Sequence, residues 1–294
     1  MTTHADPTTR PMTTRTLIPF LALTFALTWG IAALLVFAPD AMERIFGPMR
    51  YANLAFIVAV YGPSIAGVTL VLRSYGLPGL ASFARRVTLW SMPKRWWAFL
   101  LLGIPALTYL ASALSGHLLD PFPFSPWHLV LPALATRLVT GPVEEIGWRG
   151  VALPLLQRRV APLWAGLIIG VIWGLWHLPA FAIGGTAHAA WDFGPYFLGV
   201  VALSVIVTAL FNASRGSLLV AALFHFQMMN PIFPEAQPWA NLVMALAALL
   251  IVVRNPGMML RGEGAVTDVL MPAPEPTTVR PAAGSITARH TGRS

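Results

Sequence analysis

The stretch EEIGWRG at residues 144–150 places two adjacent carboxylates and an arginine in a strongly apolar part of the chain. Glu145 and Arg149 are spaced i,i+4, so on a helix they lie on one face and can pair. Glu144 points about a quarter-turn away and can face a different partner. Burying an ionised carboxylate in hydrocarbon costs on the order of 3 kcal/mol, so such residues face a bundle interior or a wet cavity and are candidates for function. The alternative is a pair of interfacial charges that cap a helix end and touch lipid headgroups.

Two histidines lie in later apolar runs. His177 lies in VIWGLWHLPAF, with Trp173 one turn before it, and His225 lies in SLLVAALFHFQMMNPIF, with Asn230 five residues after it. One histidine in an apolar helix is commonly a satisfied interior residue, but two histidines and two glutamates in three apolar runs favour chemistry. The other histidines lie in tails or loops and are interpreted as peripheral: His4, His117, His128, His188 and His290.

This set of side chains suits hydrolysis by water. A carboxylate and an imidazole can together hold and deprotonate a water molecule, with or without a metal ion. A second imidazole and an asparagine amide are donors suited to a developing oxyanion. The chain has no cysteine, and none of its serines has a recognisable nucleophile setting, so water is the best nucleophile. The HExxH pattern of soluble metalloproteases is absent, so these residues must converge from separate helices.

The composition indicates a membrane protein. Of the 294 residues, 56% are hydrophobic and only 10% are charged, whereas soluble proteins have about 25% charged residues. The net charge of +8 comes without a basic run of the kind that binds phosphate backbones, so we expect no nucleic-acid partner. The lack of cysteine excludes disulfides and thiolate metal sites.

Apolar runs along the chain predict an all-α fold, a polytopic membrane bundle of about eight transmembrane helices. A helix crosses a bilayer with about 20 apolar residues. The predicted spans are 17–38, 51–72, 96–115, 128–146, 162–183, 195–213, 217–233 and 238–253. The fourth and seventh contain polar residues or are short. No internal repeat is evident.

Lysine and arginine concentrate in alternate loops between these spans. By the positive-inside rule both termini are then cytoplasmic, in agreement with the even number of spans. The predicted location is a bacterial cytoplasmic membrane, with the lipid bilayer as a partner. Residues 1–16 are predicted to be a short polar tail and 17–254 the membrane domain, with its core at about 128–231. Residues 255–294, rich in Pro, Gly, Thr and Ala, are predicted to be a disordered tail.

The order EExxxR, aromatic-xxx-His and a late His followed by Asn resembles the CAAX-protease and bacteriocin-processing family of intramembrane endopeptidases, also called the Abi family. The stretch FNASRGSLLVAALFHFQMMN also resembles the segment that leads to the family's third motif. The similarity covers roughly residues 128–231. The residues that match the first two motifs are Glu144, Glu145, Arg149, Trp173 and His177, with Trp173 in place of a phenylalanine.

The resemblance implies an eight-helix intramembrane protease of the type II CAAX prenyl protease kind, grouped with metalloproteases, with a cavity open to the cytoplasmic side. Glu144 and His177 would activate the water, while His225 and an asparagine stabilise the tetrahedral intermediate. The substrate would be a membrane-associated or prenylated peptide or protein. The supporting residues would be Glu145, Arg149 and Trp173.

The position of the asparagine departs from the family. The family places it four residues after the second histidine, where this chain has Met229. A helix distortion before Pro231 would bring Asn230 into place, because proline disrupts the preceding hydrogen-bond ladder. Otherwise Asn212 substitutes, or the donor is missing and activity is weakened.

Metal dependence and function class both have alternatives. Glu144, His177 and His225 could supply three ligands to a divalent metal such as zinc, and a metal-free glutamate mechanism is the alternative. Buried glutamate and histidine could also relay protons in a proton-coupled carrier, although carriers favour an internal repeat. A third alternative is a non-catalytic membrane scaffold or immunity protein of the same fold, which the departure at Met229 favours.

Overall fold

The computed structural model of the chain describes residues 11–50 and 52–271, and every long element in these ranges is a helix. The helices are α1 Leu17–Phe37, α2 Pro39–Phe46, α3 Leu54–Val60, α4 Gly62–Ala84, α5 Lys94–Ser115, α6 Val130–Thr140, α7 (142–157), α8 Pro162–Trp176, α9 Phe193–Ala213, α10 Leu218–Met228, α11 Trp239–Arg254 and α12 Pro256–Leu260. The predicted all-α class is confirmed.

Several of these helices are long and apolar enough to cross a membrane. By length and composition, the described residues contain four such segments: Thr14–Phe37, Lys94–Ser115, Pro162–Ala182 and Phe193–Ala213. A fifth is formed if α3 and α4, which are bent by 56° at their junction, make one span. Helices α10 and α11 are apolar but shorter. The chain is therefore a helical integral membrane protein, and eight spans remain a prediction.

The predicted span 128–146 differs most from the structure. Helix α6 ends at Thr140, and α7 begins at Pro142 and continues to Gln157. Pro142 has no N–H to donate to the preceding turn, which accounts for the break between α6 and α7. The motif EExxxR therefore begins a helix and does not end a span. Within α7 a 3-10 turn at the start gives way to a π-helical turn, an irregularity that often occurs at functional sites.

Helix α7 packs in the centre of the bundle. A Cβ atom added to Gly147 would lie 2.2 Å from the carbonyl oxygen of Pro63, so the backbones of α7 and α4 touch there and only glycine fits. Trp148 is buried and packs edge-on against Phe20 of α1 and Trp176 of α8. These contacts fix α7 against three neighbouring helices, which positions the carboxylates at its start.

The predicted C-terminal tail begins too early. Val269 is 1% exposed, and its carbonyl oxygen accepts a hydrogen bond from the buried Arg86 at 2.8 Å. Gln157 donates to the carbonyl oxygen of Val266 at 2.7 Å. Residues 255–271 are therefore ordered, because buried side chains on distant helices satisfy their backbone. Residues 1–10 and 272–294 lie outside the described part of the chain, including the rest of the predicted tails.

Candidate active site

A cavity of about 440 Å³ gathers side chains from most of the long helices. Five of the residues singled out in the sequence line it: Glu144, Trp173, His177, His225 and Asn230. Glu145 and Arg149 are buried beside it, next to His225. The structure thus brings together all the candidate residues, although their catalytic roles remain a prediction.

Trp173 connects the other members of the site. Its indole Nε1 donates a hydrogen bond to Oε2 of Glu144 at 2.8 Å. Its ring centroid lies 5.6 Å from that of His177 and 5.4 Å from that of His225. The guanidinium carbon of Arg149 lies 4.6 Å from the centroid of a Trp173 ring, a cation–π arrangement. A phenylalanine, the residue of the resembling motif, could stack here but could not donate to the carboxylate.

A buried chain of charges holds His225 in place. Nδ1 of His225 lies 2.7 Å from Oε1 of Glu145. Nη1 of Arg149 lies 3.3 Å from the same oxygen and 3.1 Å from Oε2. Nη2 of Arg149 donates to Oγ of Ser204 at 3.1 Å. A buried charge is tolerated when it is paired and hydrogen-bonded. These linked side chains therefore fix the imidazole of His225 through its Nδ1, and Nε2 remains for a ligand.

The ring of His177 has a defined tautomer. Its Nδ1 lies 2.8 Å from the carbonyl oxygen of Trp173. A carbonyl oxygen can only accept, so Nδ1 holds the proton, and Nε2 of the neutral ring is an acceptor. His177 directly follows α8, so the end of that helix supplies both the histidine and the carbonyl oxygen that orients it.

Asn230 lies beyond the helix that carries His225. Helix α10 ends at Met228, and both Met229 and Asn230 line the cavity. The helix distortion expected before Pro231 is therefore the end of α10. Oδ1 of Asn230 accepts a hydrogen bond from the N–H of Ile232 at 3.2 Å, so its amide NH₂ remains the donor.

Asn212 does not take the place of the family asparagine. Its Nδ2 donates to Oε1 of Gln157 at 2.7 Å. Its Oδ1 accepts from Nε2 of Gln157 at 3.1 Å and from the N–H of Val266 at 3.0 Å. These bonds place the side chain away from the cavity, in a structural role.

His188 belongs to the site, although the sequence suggested that it was peripheral. It lines the cavity and its ring stacks on that of His177, with centroids 5.6 Å apart. Its Nε2 lies 3.1 Å from the hydroxyl of Tyr196. Burial, and then the positive charge of Arg137, lower the pKa of His188 to about 4, so the ring is neutral at pH 7. The only signal in the sequence was a histidine within the aromatic-rich loop AHAAWDFGPYF.

The side chains do not form a metal centre as they are arranged. Within residues 11–50 and 52–271, no three His, Cys, Asp or Glu side chains form a group that could hold a metal ion. Glu144 and His177 each keep one ligand atom outside their hydrogen bonds to Trp173, Oε1 and Nε2 respectively. The ligand set Glu144, His177 and His225 stays a prediction.

Comparison with known proteins supports the resemblance of the motifs. Residues 126–230 match the family described as type II CAAX prenyl endopeptidase Rce1-like. The segment that carries the site is therefore similar to this family. CAAX prenyl protease 2 of Methanococcus maripaludis is 30% identical to the chain over 136 residues, or 42% of this chain and 50% of the relative. The match thus spans about half the length of that curated relative. All four predicted catalytic residues lie in the Rce1-like segment, and the predicted resemblance is confirmed.

Proposed function

We propose that the chain is an intramembrane endopeptidase that hydrolyses a peptide bond with a water molecule activated by Glu144 and His177. The observation that supports this most is the hydrogen bond and ring contacts by which Trp173 joins Glu144, His177 and His225 at one cavity. The match to the Rce1-like family supports the hydrolytic class.

Glu144 is the proposed general base. Its Oε2 accepts the indole N–H of Trp173, and Oε1 would accept a proton from water. Nε2 of neutral His177 would accept the water's second hydrogen and orient its lone pair toward the substrate carbonyl carbon. The resulting hydroxide adds to that carbon, and the proton that Glu144 took from the water stays on Glu144.

His225 and Asn230 are the proposed donors to the oxyanion of the tetrahedral intermediate. The carboxylate of Glu145 accepts from Nδ1 of His225 and stabilises the positive charge that the ring carries when both nitrogens are protonated. When the C–N bond breaks, Glu144 returns its proton to the leaving nitrogen. The products are a carboxylic acid and an amine.

The proposed substrate is a membrane-associated or prenylated peptide. The aligned relative is named a CAAX prenyl protease, which supports this class. The cavity of about 440 Å³ matches the size of sites that take small ligands, so it can hold a short stretch of peptide but no folded domain.

Purified protein in liposomes, incubated with a library of quenched fluorescent peptides, tests the proposal. We expect cleavage by the wild type and by two controls outside the cavity, Glu43→Gln and His117→Ala, and none by Glu144→Gln or His177→Ala. Cleavage by Glu144→Gln at the wild-type rate would refute the assignment of the base. Solute transport without cleavage would instead favour the carrier.

A further inference from the structure

Hydrogen bonds join one end of the bundle into a layer rich in arginine. Nη1 of Arg86, just after α4, donates to the carbonyl oxygen of Gly216, just after α9, at 3.1 Å. Nη1 of Arg158, just after α7, donates to the carbonyl oxygen of Met12, before α1, at 2.6 Å. The residues at this end, which we name the basic end, include Arg15, Arg85, Arg86, Lys94, Arg95, Arg158, Arg159, Arg215, Arg254 and Arg261.

The cavity lies at the opposite end of the same helices. Helix α8 starts three residues after Arg159 and has 15 residues, so at 1.5 Å per residue His177 is about 22 Å from its start. Helix α11 runs in the opposite direction to α8. Asn241, near the start of α11, lines the cavity, and Arg254 ends the helix at the basic end. Near the cavity, Nε1 of Trp29 in the second half of α1 donates to the carbonyl oxygen of Trp176, the last residue of α8, at 3.2 Å.

Charge is distributed unequally between the two ends. Outside the site, the described charged residues at the cavity end are the basic Arg44, Arg50 and Arg137 and the acidic Asp40, Glu43, Asp120, Asp192 and Glu235, while Arg73 lies in the middle of α4. At the basic end the described acidic residues are Glu263 and Asp268. Lysine and arginine near the ends of spans concentrate on the cytoplasmic side of membrane proteins. The basic end is therefore the end that faces the cytoplasm.

We propose that the cavity opens toward the extracytoplasmic face of the membrane, and that, of the two substrate classes proposed above, it takes membrane-associated polypeptide segments exposed at the outer leaflet and not prenylated tails. The substrate part rests on the proposed endopeptidase function, whereas the orientation stands without it. Arg15 and Arg261, near the two ends of the described chain, lie at the basic end and are cytoplasmic in this orientation. The cytoplasmic opening that the family resemblance implied is then reversed, because α7 runs from Glu144 away from the cavity to Arg158.

The chain has no cysteine, so single cysteines can report the orientation directly. Ala190 is exposed beside Trp191, which lines the cavity. Ser91 is exposed between Arg86 and Lys94, at the basic end. The two variants Ala190→Cys and Ser91→Cys are expressed in a bacterial cytoplasmic membrane and treated with a membrane-impermeant maleimide, with detergent-solubilised protein defining complete labelling.

In intact cells, we expect Ala190→Cys to be labelled to nearly the level reached in detergent and Ser91→Cys only to background. The reverse pattern, or equal labelling of both, would overturn the proposal. Purified wild type tested on the peptide library separates the two claims. Reversed labelling with cleavage refutes only the orientation, and the expected labelling without cleavage refutes only the endopeptidase function.

Discussion

The indole of Trp173 donates to Oε2 of Glu144 across 2.8 Å and thereby links α8 to α7 at the cavity wall. A hydrogen bond to a charged group contributes about 1.5–3 kcal/mol, enough to fix a carboxylate that has few other partners in an apolar setting. Trp173 also faces both histidines, so it is a positioning residue for the proposed base.

Replacing Trp173 by phenylalanine removes this donor and keeps most of the ring. We expect Trp173→Phe to lower kcat by about 10- to 100-fold, in line with the loss of one hydrogen bond to a charged group, with KM little changed. The exposed Trp164→Phe is the matched control and should behave as the wild type. Unchanged kcat in Trp173→Phe would show that the bond does not position the base.

We expect Glu145 to stabilise the fold and Glu144 to serve cleavage. Glu145→Gln removes the counter-charge of the fully buried Arg149, so we expect a loss of about 3–5 kcal/mol in the free energy of unfolding. Glu144→Gln should stop cleavage with a much smaller loss of stability. Denaturant unfolding in detergent measures both, and the double variant Glu145→Gln/Arg149→Met should regain part of the stability. Equal stability of the two single variants would contradict this division.

Asn230 and Asn212 form a second matched pair. We expect Asn230→Ala to slow cleavage, by about 100-fold if its amide stabilises the oxyanion, without lowering the melting temperature. Asn212→Ala should lower the melting temperature without slowing cleavage, because it leaves Oε1 of the buried Gln157 without the donor Nδ2 of Asn212. Measured rates and melting temperatures of the two variants decide the roles. If Asn212→Ala alone slows the reaction, the placement of the donor is wrong.

The candidate residues could be predicted from the sequence because ionisable groups are rare in its apolar runs. Glu144, His177 and His225 stand out because the residues around them are mostly apolar. The i,i+4 spacing of Glu145 and Arg149 predicted their ion pair. His188 could not be predicted in this way, since only the packing of its loop brings it onto His177.

The direction of α7 could not be predicted from the sequence. The segment VALPLLQ is short and contains Pro154, so it resembled a loop after a span that ended near Glu145. Pro154 is tolerated inside α7 because the preceding π-helical turn accommodates the missing N–H. The order of the C-terminal residues depends likewise on a distant contact, between Arg86 and Val269, that no local pattern encodes.

The proposed mechanism predicts independence from a bound metal. Because no step passes through a metal, cleavage should persist after treatment with EDTA or 1,10-phenanthroline. Activity lost on chelation and restored by zinc would instead support the ligand set Glu144, His177 and His225. Elemental analysis of the purified wild type and of His225→Ala would then establish whether the metal occupies this cavity.

The central claim is that Glu144 activates water for hydrolysis of a peptide bond. The most direct measurement compares the new peptide termini in membranes that contain the wild type, Glu144→Gln or the exposed control Glu43→Gln. We predict a set of termini common to the wild type and Glu43→Gln and missing with Glu144→Gln. Identical termini with the wild type and Glu144→Gln, at equal expression, would contradict the account.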